Sequence, residues 1–526
     1  MASLTDIPPL ARYAVLLVLA AGFASRYFTS SRSRLPPGPR PLPFIGNILQ
    51  IRAEHPEEGF AEWGAKYGDV VRLRMFSQTM IILNSLEAAR DLLDKRSSIY
   101  SDRPRFVLFS ELMGWKHATT HLRYGHRFRK HRRWINNVFN AHAIPQFRPL
   151  QTKETLVLLT GMIQEPENFV KHFKRYAAAT ILKVTYNRNV QSIDDLLVRI
   201  ADKAATLTVE SGSPAATLVD FFPLMRFIPT WLPFAGFKRK ALETRSAVDA
   251  MFRVPFDLVK EDMKSGKAGA SYVSTLIEKF TTPDGQLSVE DECDIQGTAG
   301  TLYAAAEDTT VSLLHTFVMA MVLYPQVYKK LQAEMDSVTG TQRLPNFDDR
   351  PSLPYLECVL KEILRWNVPV PLGMPHRLME DDIYRNFYIP AGSSVLVNIH
   401  SILQDCEKPN EFIPERYMEN PDLPDPHTVI FGFGRRICPG RHFSEESLWS
   451  ISAHMIATMD ISKAKDENGA DITPPLEFTT GFVSHPKPFN CIIRSRSDQV
   501  MTIIQEAQAN TGEYVFPIDS DGRIKQ

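Results

Sequence analysis

Residues 431–440 read Phe-Gly-Phe-Gly-Arg-Arg-Ile-Cys-Pro-Gly and place one cysteine, Cys438, in a glycine-rich turn. The apolar stretch that follows, from Phe443 to Met459, predicts a helix. Backbone N–H groups of the turn and the positive end of that helix would converge on the sulfur. We therefore expect the Cys438 sulfur to be a thiolate. The alternative is a buried structural cysteine beside a glycine turn.

This turn resembles the haem-ligand loop of cytochromes P450, Phe-x-x-Gly-x-Arg-x-Cys-x-Gly, at all five fixed positions. The resemblance extends from residue 36 to about residue 498. It implies that Cys438 is the axial ligand of the iron of a haem b. A thiolate ligand pushes electron density onto iron and favours cleavage of the O–O bond. The implied fold is the cytochrome P450 fold, mainly α with a small β lobe, with the haem between a long helix and the cysteine loop.

Composition limits the class of protein further. The chain has 526 residues, of which 44% are hydrophobic and 10% aromatic, enough for a large packed core. Sixty basic and sixty acidic side chains balance, so nothing in the overall charge indicates nucleic acid as a partner. The five cysteines are scattered without CxxC spacing, which disfavours both a disulfide framework and a zinc site and favours a reducing compartment.

The N-terminal segment has two interpretations. Tyr13 to Ser25 is uncharged and apolar, which is typical of a membrane anchor or of a cleaved signal peptide. Basic residues are concentrated after this segment, at Arg26, Arg32, Arg34 and Arg40. This positive-inside pattern favours a single N-terminal anchor, in the endoplasmic reticulum membrane, with the catalytic domain in the cytosol.

The sequence predicts four regions in chain order. These are a membrane anchor (1–30), a proline-rich hinge (31–41), a P450 haem-thiolate catalytic domain (42–510) and a polar, loose C-terminal tail (511–526). In the catalytic domain we expect two strands near 69–75 and 80–83, then a helix near 86–94. Further helices are expected near 291–323, 325–340 and 355–366, and residues 383–399 are expected to join the sheet.

The longest predicted helix contains an acid beside an alcohol, Asp308 and Thr309, in an apolar stretch. The segment resembles the P450 pattern [Ala/Gly]-Gly-x-[Asp/Glu]-Thr-[Thr/Ser], with Ala306 where glycine is usual. The resemblance implies that Asp308 and Thr309 are catalytic. A buried acid with an adjacent hydroxyl can relay protons through water to bound O₂. In isolation, both residues would be interpreted as solvated or bonded back to the preceding turn.

Three further charged residues match a structural motif of the same family. Glu362 and Arg365 are three apart on a predicted helix and can pair on one face. By resemblance they form a buried triad with Arg416. We interpret this triad as structural, not catalytic.

The two propionates of a haem require basic donors. By resemblance these are Arg103, Arg132, His376 and Arg436. Position 128, usually tryptophan, is phenylalanine here, so a propionate could lose an indole N–H donor. Each arginine taken alone would be interpreted as a solvated surface residue.

A basic cluster is predicted on the cysteine side of the haem, formed by Arg127, Arg129, Lys130, Arg133 and Arg435. The family docks an acidic flavoprotein on that side, so the resemblance implies NADPH-cytochrome P450 reductase as partner, with cytochrome b5 as a second candidate. Basic charge would steer that encounter. The alternative is a solvated helix face.

The function implied is monooxygenation of a lipophilic small molecule, with the nearest likeness to fungal enzymes of secondary metabolism. Three apolar segments would face the pocket, namely Phe106 to Trp115, Val370 to Met374, and Phe482 with Val483. Ordinary core is the alternative for these residues. They favour a terpenoid, an aromatic polyketide or a similar hydrocarbon. Two rival functions are a P450-fold isomerase or dehydratase that does not use O₂, and a non-catalytic haem-binding protein.

Overall fold

The computed structural model describes residues 35–212, 217–340, 342–519, 521 and 523–524. Helices dominate the described residues. In chain order the α-helices are α1 Pro56–Tyr67, α2 Leu86–Ala89, α3 Ser97–Tyr100, α4 His126–Phe139, α5 Arg148–Gln164, α6 Phe169–Tyr186, α7 Leu196–Ser211, α8 Leu218–Phe221, α9 Gly236–Lys264, α10 Tyr272–Phe280, α11 Val289–Leu323, α12 Pro325–Thr339, α13 Pro354–Trp366, α14 Ile399–Gln404, α15 Arg416–Glu419, α16 Arg441–Thr458 and α17 Val500–Asn510.

The strands of the described residues are short and form three sheets. They are β1 Val70–Met75, β2 Gln78–Leu83, β3 His376–Arg377, β4 Asp382–Tyr384, β5 Phe387–Ile389, β6 Ser394–Val397, β7 Met459–Lys465, β8 Asp471–Ile472 and β9 Cys491–Ser495. The largest sheet has the order β1-β2-β6-β3, in which β2 and β6 are parallel and the other pairs antiparallel. This mainly α architecture with a small β lobe is the predicted fold class.

The predicted elements around the small lobe are present with small shifts at their ends. The two early strands pair across a turn at Phe76, whose φ of 53° is left-handed. The helix predicted near 86–94 begins as α2 and continues as a π-helical turn over Arg90–Lys95. Residues 383–399 supply part of β4, then β5 and β6, and end where α14 begins at Ile399.

The long helix α11 crosses two separate hydrophobic cores. Its first part, including Ile295, Ala299 and Tyr303, is buried in one core, and Val311 to Val322 are buried in the other. Between them Ala305 is exposed, although it lies in the middle of a helix whose two flanks are covered. An exposed alanine at this point indicates that the helix borders an open space between the two cores.

The N-terminal predictions fall largely outside the described residues. The predicted anchor, residues 1–30, and the first part of the hinge, residues 31–34, belong to the portion that the structure does not describe. Residues 35–41 form neither helix nor strand, and the Pro37 carbonyl accepts a hydrogen bond of 2.8 Å from the Arg72 N–H of β1. Among the described helices none alone is long and apolar enough to span a bilayer; α11 and α12 reach that composition only as a pair bent by 105°.

The C-terminal tail differs from the prediction of a loose polar segment. Helix α17 packs along α5, and residues 511–519 continue as an extended segment in which Tyr514, Phe516 and Ile518 are buried. The prediction failed because the apolar run Tyr514 to Ile518 is only five residues long, includes Pro517 and has polar residues on either side, which is too short a stretch to indicate a buried element.

Candidate active site

The cysteine loop is held by its own backbone and by the small lobe. The Cys438 N–H donates to the Phe431 carbonyl at 2.8 Å, and the Gly434 N–H donates to Asp94 Oδ1 at 2.5 Å. Gly434 has a φ of 57°, and a Cβ there would lie 2.0 Å from the Leu93 carbonyl oxygen. Only glycine fits this approach, which explains why the turn needs it.

The surroundings of the Cys438 sulfur act in opposite directions. Burial raises the pKa of the thiol, while the backbone N–H of Gly440 and the nearby Arg132 and Arg441 lower it, and the net direction is upward. Burial thus opposes the effect of the turn and helix dipoles, and the thiolate stays a prediction. A bound metal cation would favour it, because coordination stabilises the deprotonated sulfur.

Two predicted propionate ligands, the buried Arg103 and the half-buried Arg436 of the cysteine loop, both donate to backbone carbonyl oxygens. Arg103 Nη1 donates to the Met374 carbonyl at 2.9 Å. Arg436 donates to the carbonyls of Ser101 and Leu122, each at 2.8 Å. Its third nitrogen, Nη1, is buried and has no hydrogen-bond partner among the described residues. A donor left unsatisfied in this way marks a place for an acceptor from a ligand.

The other two predicted ligands lie close to the same loop and sheet. Arg132 on α4 donates to the Ile437 carbonyl at 2.8 Å, one residue before the cysteine. His376 on β3 is buried, with Nδ1 2.9 Å from the Tyr100 carbonyl. The pairing of β3 with β6 in the main sheet positions this histidine.

The electrostatics of this group favour an anionic ligand. Burial, and then the neighbouring Arg103, lower the pKa of Arg436 to about 8, and the same two causes lower the pKa of His376 to about 3. Burial lowers the pKa of Arg103 itself to about 10. Asp102 is the carboxylate that opposes the shifts of the two arginines, and it is already paired with Arg377 at 3.0 Å. Guanidinium groups withdrawn from water need an anionic partner, so the donor set fits a haem with two propionates.

Phe128 replaces the family's usual tryptophan and has a contact of its own. The Arg436 guanidinium lies 3.6 Å from the centre of the Phe128 ring. Phenylalanine keeps this cation–π contact but offers no N–H group. The ring therefore orients the arginine and cannot itself bind a propionate.

The acid and the alcohol of α11 lie at the break between the two cores. Thr309 Oγ1 donates to the Ala305 carbonyl at 3.1 Å, one turn earlier. Every residue from Val289 to Leu323 is helical, so Ala306 in place of glycine leaves the helix continuous. Residues four apart share a face of a helix, so Thr309 lies on the same side as the exposed Ala305.

The prediction that Asp308 is buried is wrong. Its side chain is 46% exposed and lies 3.0 Å from Nε2 of His485. The buried acid is its neighbour Glu307, whose pKa burial raises to about 7 although Lys174 opposes the shift. Successive helical residues point about 100° apart, so only one of two adjacent acids can face the core.

His485 is a residue that sequence reasoning missed. Its backbone is fixed by reciprocal hydrogen bonds with Thr479, at 2.7 and 3.0 Å. The adjacent Ser484 accepts from Ser312 Oγ at 2.5 Å and donates to Asn367 at 2.9 Å. A lone histidine far along the chain from Asp308 carries no sequence signal for this contact.

The three residues that the family resemblance groups as a triad lie in contact. Arg365 makes two hydrogen bonds of 2.7 Å to the two carboxylate oxygens of Glu362, and Arg416 Nε lies 3.2 Å from the same carboxylate. All three side chains are buried. Arg365 also donates to the side chain of Gln404 and to the backbone carbonyl of Glu411, so the triad ties α13 to the segment that precedes the cysteine loop.

Only part of the predicted basic cluster is exposed and available to a partner protein. Arg127 and Lys130 both pair with the buried carboxylate of Asp294 on α11, the latter at 2.7 Å. Arg129 and Arg133 are exposed and have no ion pair among the described residues. The basic face open to a partner is therefore smaller than the sequence indicated.

The predicted pocket residues divide into core and surface. Val107, Leu108, Leu112, Met113 and Trp115 are buried, whereas Phe482 is 54% exposed.

An unpredicted histidine, His121, lies among the first group, with its ring 5.4 Å from Phe106 and 6.1 Å from Trp115. Burial, and then Arg103, lower its pKa to about 3, which keeps the imidazole neutral.

Comparison with known proteins shows the family of this chain. The cytochrome P450 family model matches residues 36–493. A cytochrome P450 monooxygenase of Postia placenta, number 176, is 40% identical over 510 residues, covering 94% of this chain and 98% of the relative. Tryptamine 4-monooxygenase of Psilocybe cyanescens is 38% identical over 503 residues, covering 93% and 99%. The chain belongs to the cytochrome P450 family, among its monooxygenases.

Proposed function

We propose that this enzyme inserts one oxygen atom of O₂ into a lipophilic small molecule, using electrons from NADPH that a flavoprotein reductase delivers. The cofactor is haem b. The observation that carries the proposal is the buried basic group beside Cys438, with an unsatisfied Arg436 nitrogen and lowered pKa values. A haem-binding site explains why so much positive charge is buried next to one cysteine.

Each residue of this site has a proposed role toward the cofactor. Cys438 supplies the sulfur ligand of the iron, and Arg103, Arg132, His376 and Arg436 bind the two propionates. When bound, haem with a thiolate ligand supplies the activation of O₂. Glu362, Arg365 and Arg416 hold the segment that leads to the cysteine loop and take no part in the chemistry.

Thr309 and Asp308 deliver protons from solvent to the space beside Ala305. The Thr309 hydroxyl borders that space, and Asp308 is half exposed and paired with His485 at 3.0 Å. An acid in contact with both solvent and a second titratable group can be reprotonated after each transfer. The exposure of Asp308 thus suits a relay that begins at the protein surface.

The two rival functions are less well supported. An isomerase or dehydratase that does not use O₂ would not require Asp308 and Thr309 at the open face of α11. In a non-catalytic haem-binding protein the same pair would be idle. Substrate-dependent consumption of NADPH separates the three functions, because only the monooxygenase consumes it in proportion to product.

The substrate is proposed to be a terpenoid or polyketide intermediate of fungal secondary metabolism. The apolar segment Phe106 to Trp115 favours a lipophilic ligand, because apolar surface that a ligand covers contributes about 25 cal/mol per Å² to binding. Neutral His121 adds one polar contact among aromatic rings. Since one relative is named for tryptamine, a test panel includes indole amines as well.

Two measurements test the proposal. The reduced, carbon monoxide-bound protein should absorb at about 450 nm, as a thiolate ligand requires, and Cys438→His should abolish that band. Co-expression with a reductase, followed by metabolite profiling, should yield hydroxylated lipophilic products. A wild-type spectrum of the histidine type, or a shifted band that survives Cys438→His, would show that the ligand assignment is wrong.

A further inference from the structure

The chain beyond the family match returns to the cysteine side of the molecule. The match ends at residue 493, and β9 ends at Ser495. Helix α17 then runs along α5, where Gln508 Nε2 donates to Thr160 Oγ1 at 3.2 Å. Residues 511–519 follow as an extended segment whose side chains alternate, with Tyr514 8% and Phe516 2% exposed and Val515 between them 68% exposed.

The two buried aromatic residues of this segment complete a cluster of five rings. Tyr514 and Phe516 lie 6.3 and 6.4 Å from Phe147, between centroids. Phe147 lies 5.8 Å from Phe443, and Phe139 lies 5.7 Å from Phe443. We call these five residues the aromatic brace. Rings at such separations attract one another beyond the burial of their area.

The aromatic brace contacts both elements that hold the cysteine loop. Phe443 lies on the first turn of α16, which begins at Arg441, three residues after Cys438. Phe139 is the last residue of α4, the helix whose Arg132 binds the Ile437 carbonyl at 2.8 Å. Gln151 of α5 adds a hydrogen bond of 3.1 Å to the Phe443 carbonyl.

We propose that residues 511–519, by completing the aromatic brace, keep Cys438 in the position needed to ligate the haem iron. Tyr514 and Phe516 are its positioning residues, acting through Phe147 and Phe443. This inference rests on the proposed role of Cys438. Packed rings resist displacement because interiors are close-packed, so an empty volume behind Phe147 would let Phe147 shift, and with it Phe443 on the first turn of α16.

The test uses the full-length haem protein and three variants at the C-terminal segment. Phe516→Ala removes a buried ring, Phe516→Leu keeps most of its volume, and Val515→Ala alters the exposed neighbour as matched control. The measurement is the rate at which the carbon monoxide band at about 450 nm is lost at a temperature where far-ultraviolet circular dichroism is unchanged. We expect about a tenfold faster loss for Phe516→Ala, at most threefold for Phe516→Leu, and the wild-type rate for Val515→Ala.

Tyr514→Phe asks whether the ring or the hydroxyl matters. The Tyr514 hydroxyl is buried without a hydrogen-bond partner among the described residues, so this variant should lose the band no faster than wild type. If Phe516→Ala does not fold, the rates of band loss in Phe516→Leu and Val515→Ala are compared instead. A faster loss in Phe516→Leu supports the proposal, and equal rates contradict it.

Three outcomes would overturn the proposed positioning role of the aromatic brace. One is equal rates in Phe516→Leu, Phe516→Ala and Val515→Ala. Another is band loss that occurs only together with loss of circular dichroism. A wild-type protein that never shows the band would overturn the ligand assignment and the brace together, which distinguishes failure of the proposed function from failure of the brace alone.

Discussion

At the scale of single residues, the neighbouring acids of α11 have different environments and so different roles. Asp308 is half exposed and paired, whereas Glu307 is buried with a raised pKa. The motif alone cannot distinguish them, since both are carboxylates in the same apolar stretch. Their exposure and their partners distinguish them. The role of each acid can be tested by a substitution at that acid or at its partner.

We expect His485→Gln to impair proton delivery without impairing substrate binding, because Asp308 loses its partner at 3.0 Å. Product formed per NADPH should fall by about tenfold, with the difference appearing as hydrogen peroxide, as it should for Thr309→Ala. Spectral titration with substrate should be unchanged. His142→Gln, at an exposed histidine, is the control. An unchanged ratio of product to NADPH in His485→Gln would show that this histidine does not take part in proton delivery. If the ratio falls only in Thr309→Ala, the proposed role of the Thr309 hydroxyl still holds.

Glu307→Gln should stabilise the protein at neutral and higher pH. Burial raises the pKa of Glu307 from 4.5 to about 7, so the folded state holds a proton that the unfolded state releases between those values. The stabilising effect of that proton is full below pH 4.5 and is lost as pH rises through 7. The gain in free energy of unfolding for Glu307→Gln over wild type should therefore grow by about 3 kcal/mol from pH 4.5 to 8.

Denaturant unfolding at several pH values checks this expectation. Glu290→Gln, at an exposed position of the same helix, should give a difference that does not change with pH. A constant difference for Glu307→Gln as well would mean that folding does not raise the pKa of Glu307.

At the scale of elements, the molecule depends on contacts that tie helices to the cysteine loop from several directions. Glu362 joins α13 to the segment before the loop, β3 carries His376, and α4 carries Arg132. The helices themselves were predictable, because the apolar stripe of α13 and the uncharged stretch of α11 are strong periodic signals. Which face of each helix meets the loop depended on packing.

Glu362→Gln should be strongly destabilising. It leaves the buried guanidinium groups of Arg365 and Arg416 without their carboxylate, which costs about 3–5 kcal/mol in the free energy of unfolding. Asp471→Asn breaks an exposed pair with Lys465 at 3.0 Å and should lose only a small fraction of that. Chemical denaturation of both variants gives the comparison. Equal losses would mean that the triad contributes no more than a surface pair.

At the scale of the whole molecule, the proposed membrane anchor concerns residues 1–30, outside the described residues. The described domain begins with an extended proline-rich segment bound to β1 through the Pro37 carbonyl. We expect the domain to fold without the anchor, because its described residues contain large hydrophobic cores of their own.

Deletion of residues 1–30 should therefore weaken membrane association and leave the haem spectrum unchanged. Intact protein should sediment with microsomes, resist carbonate extraction and keep its N-terminal residues, as the apolar length and the following arginines predict. Sedimentation, extraction and N-terminal sequencing give the readout. A mature N-terminus near Ser25 would indicate a cleaved signal peptide instead.

The sequence by itself determined the family, the mainly α fold, the cysteine of the loop and most helix positions, because these depend on local spacing and periodicity. Tertiary structure alone decided the partner of Asp308, the burial of Glu307, the loss of Arg127 and Lys130 from the basic face, and the return of the C-terminal segment. Each of these joins residues far apart in the chain. A contact of that kind depends on how packed elements meet, and no local pattern in the sequence encodes it.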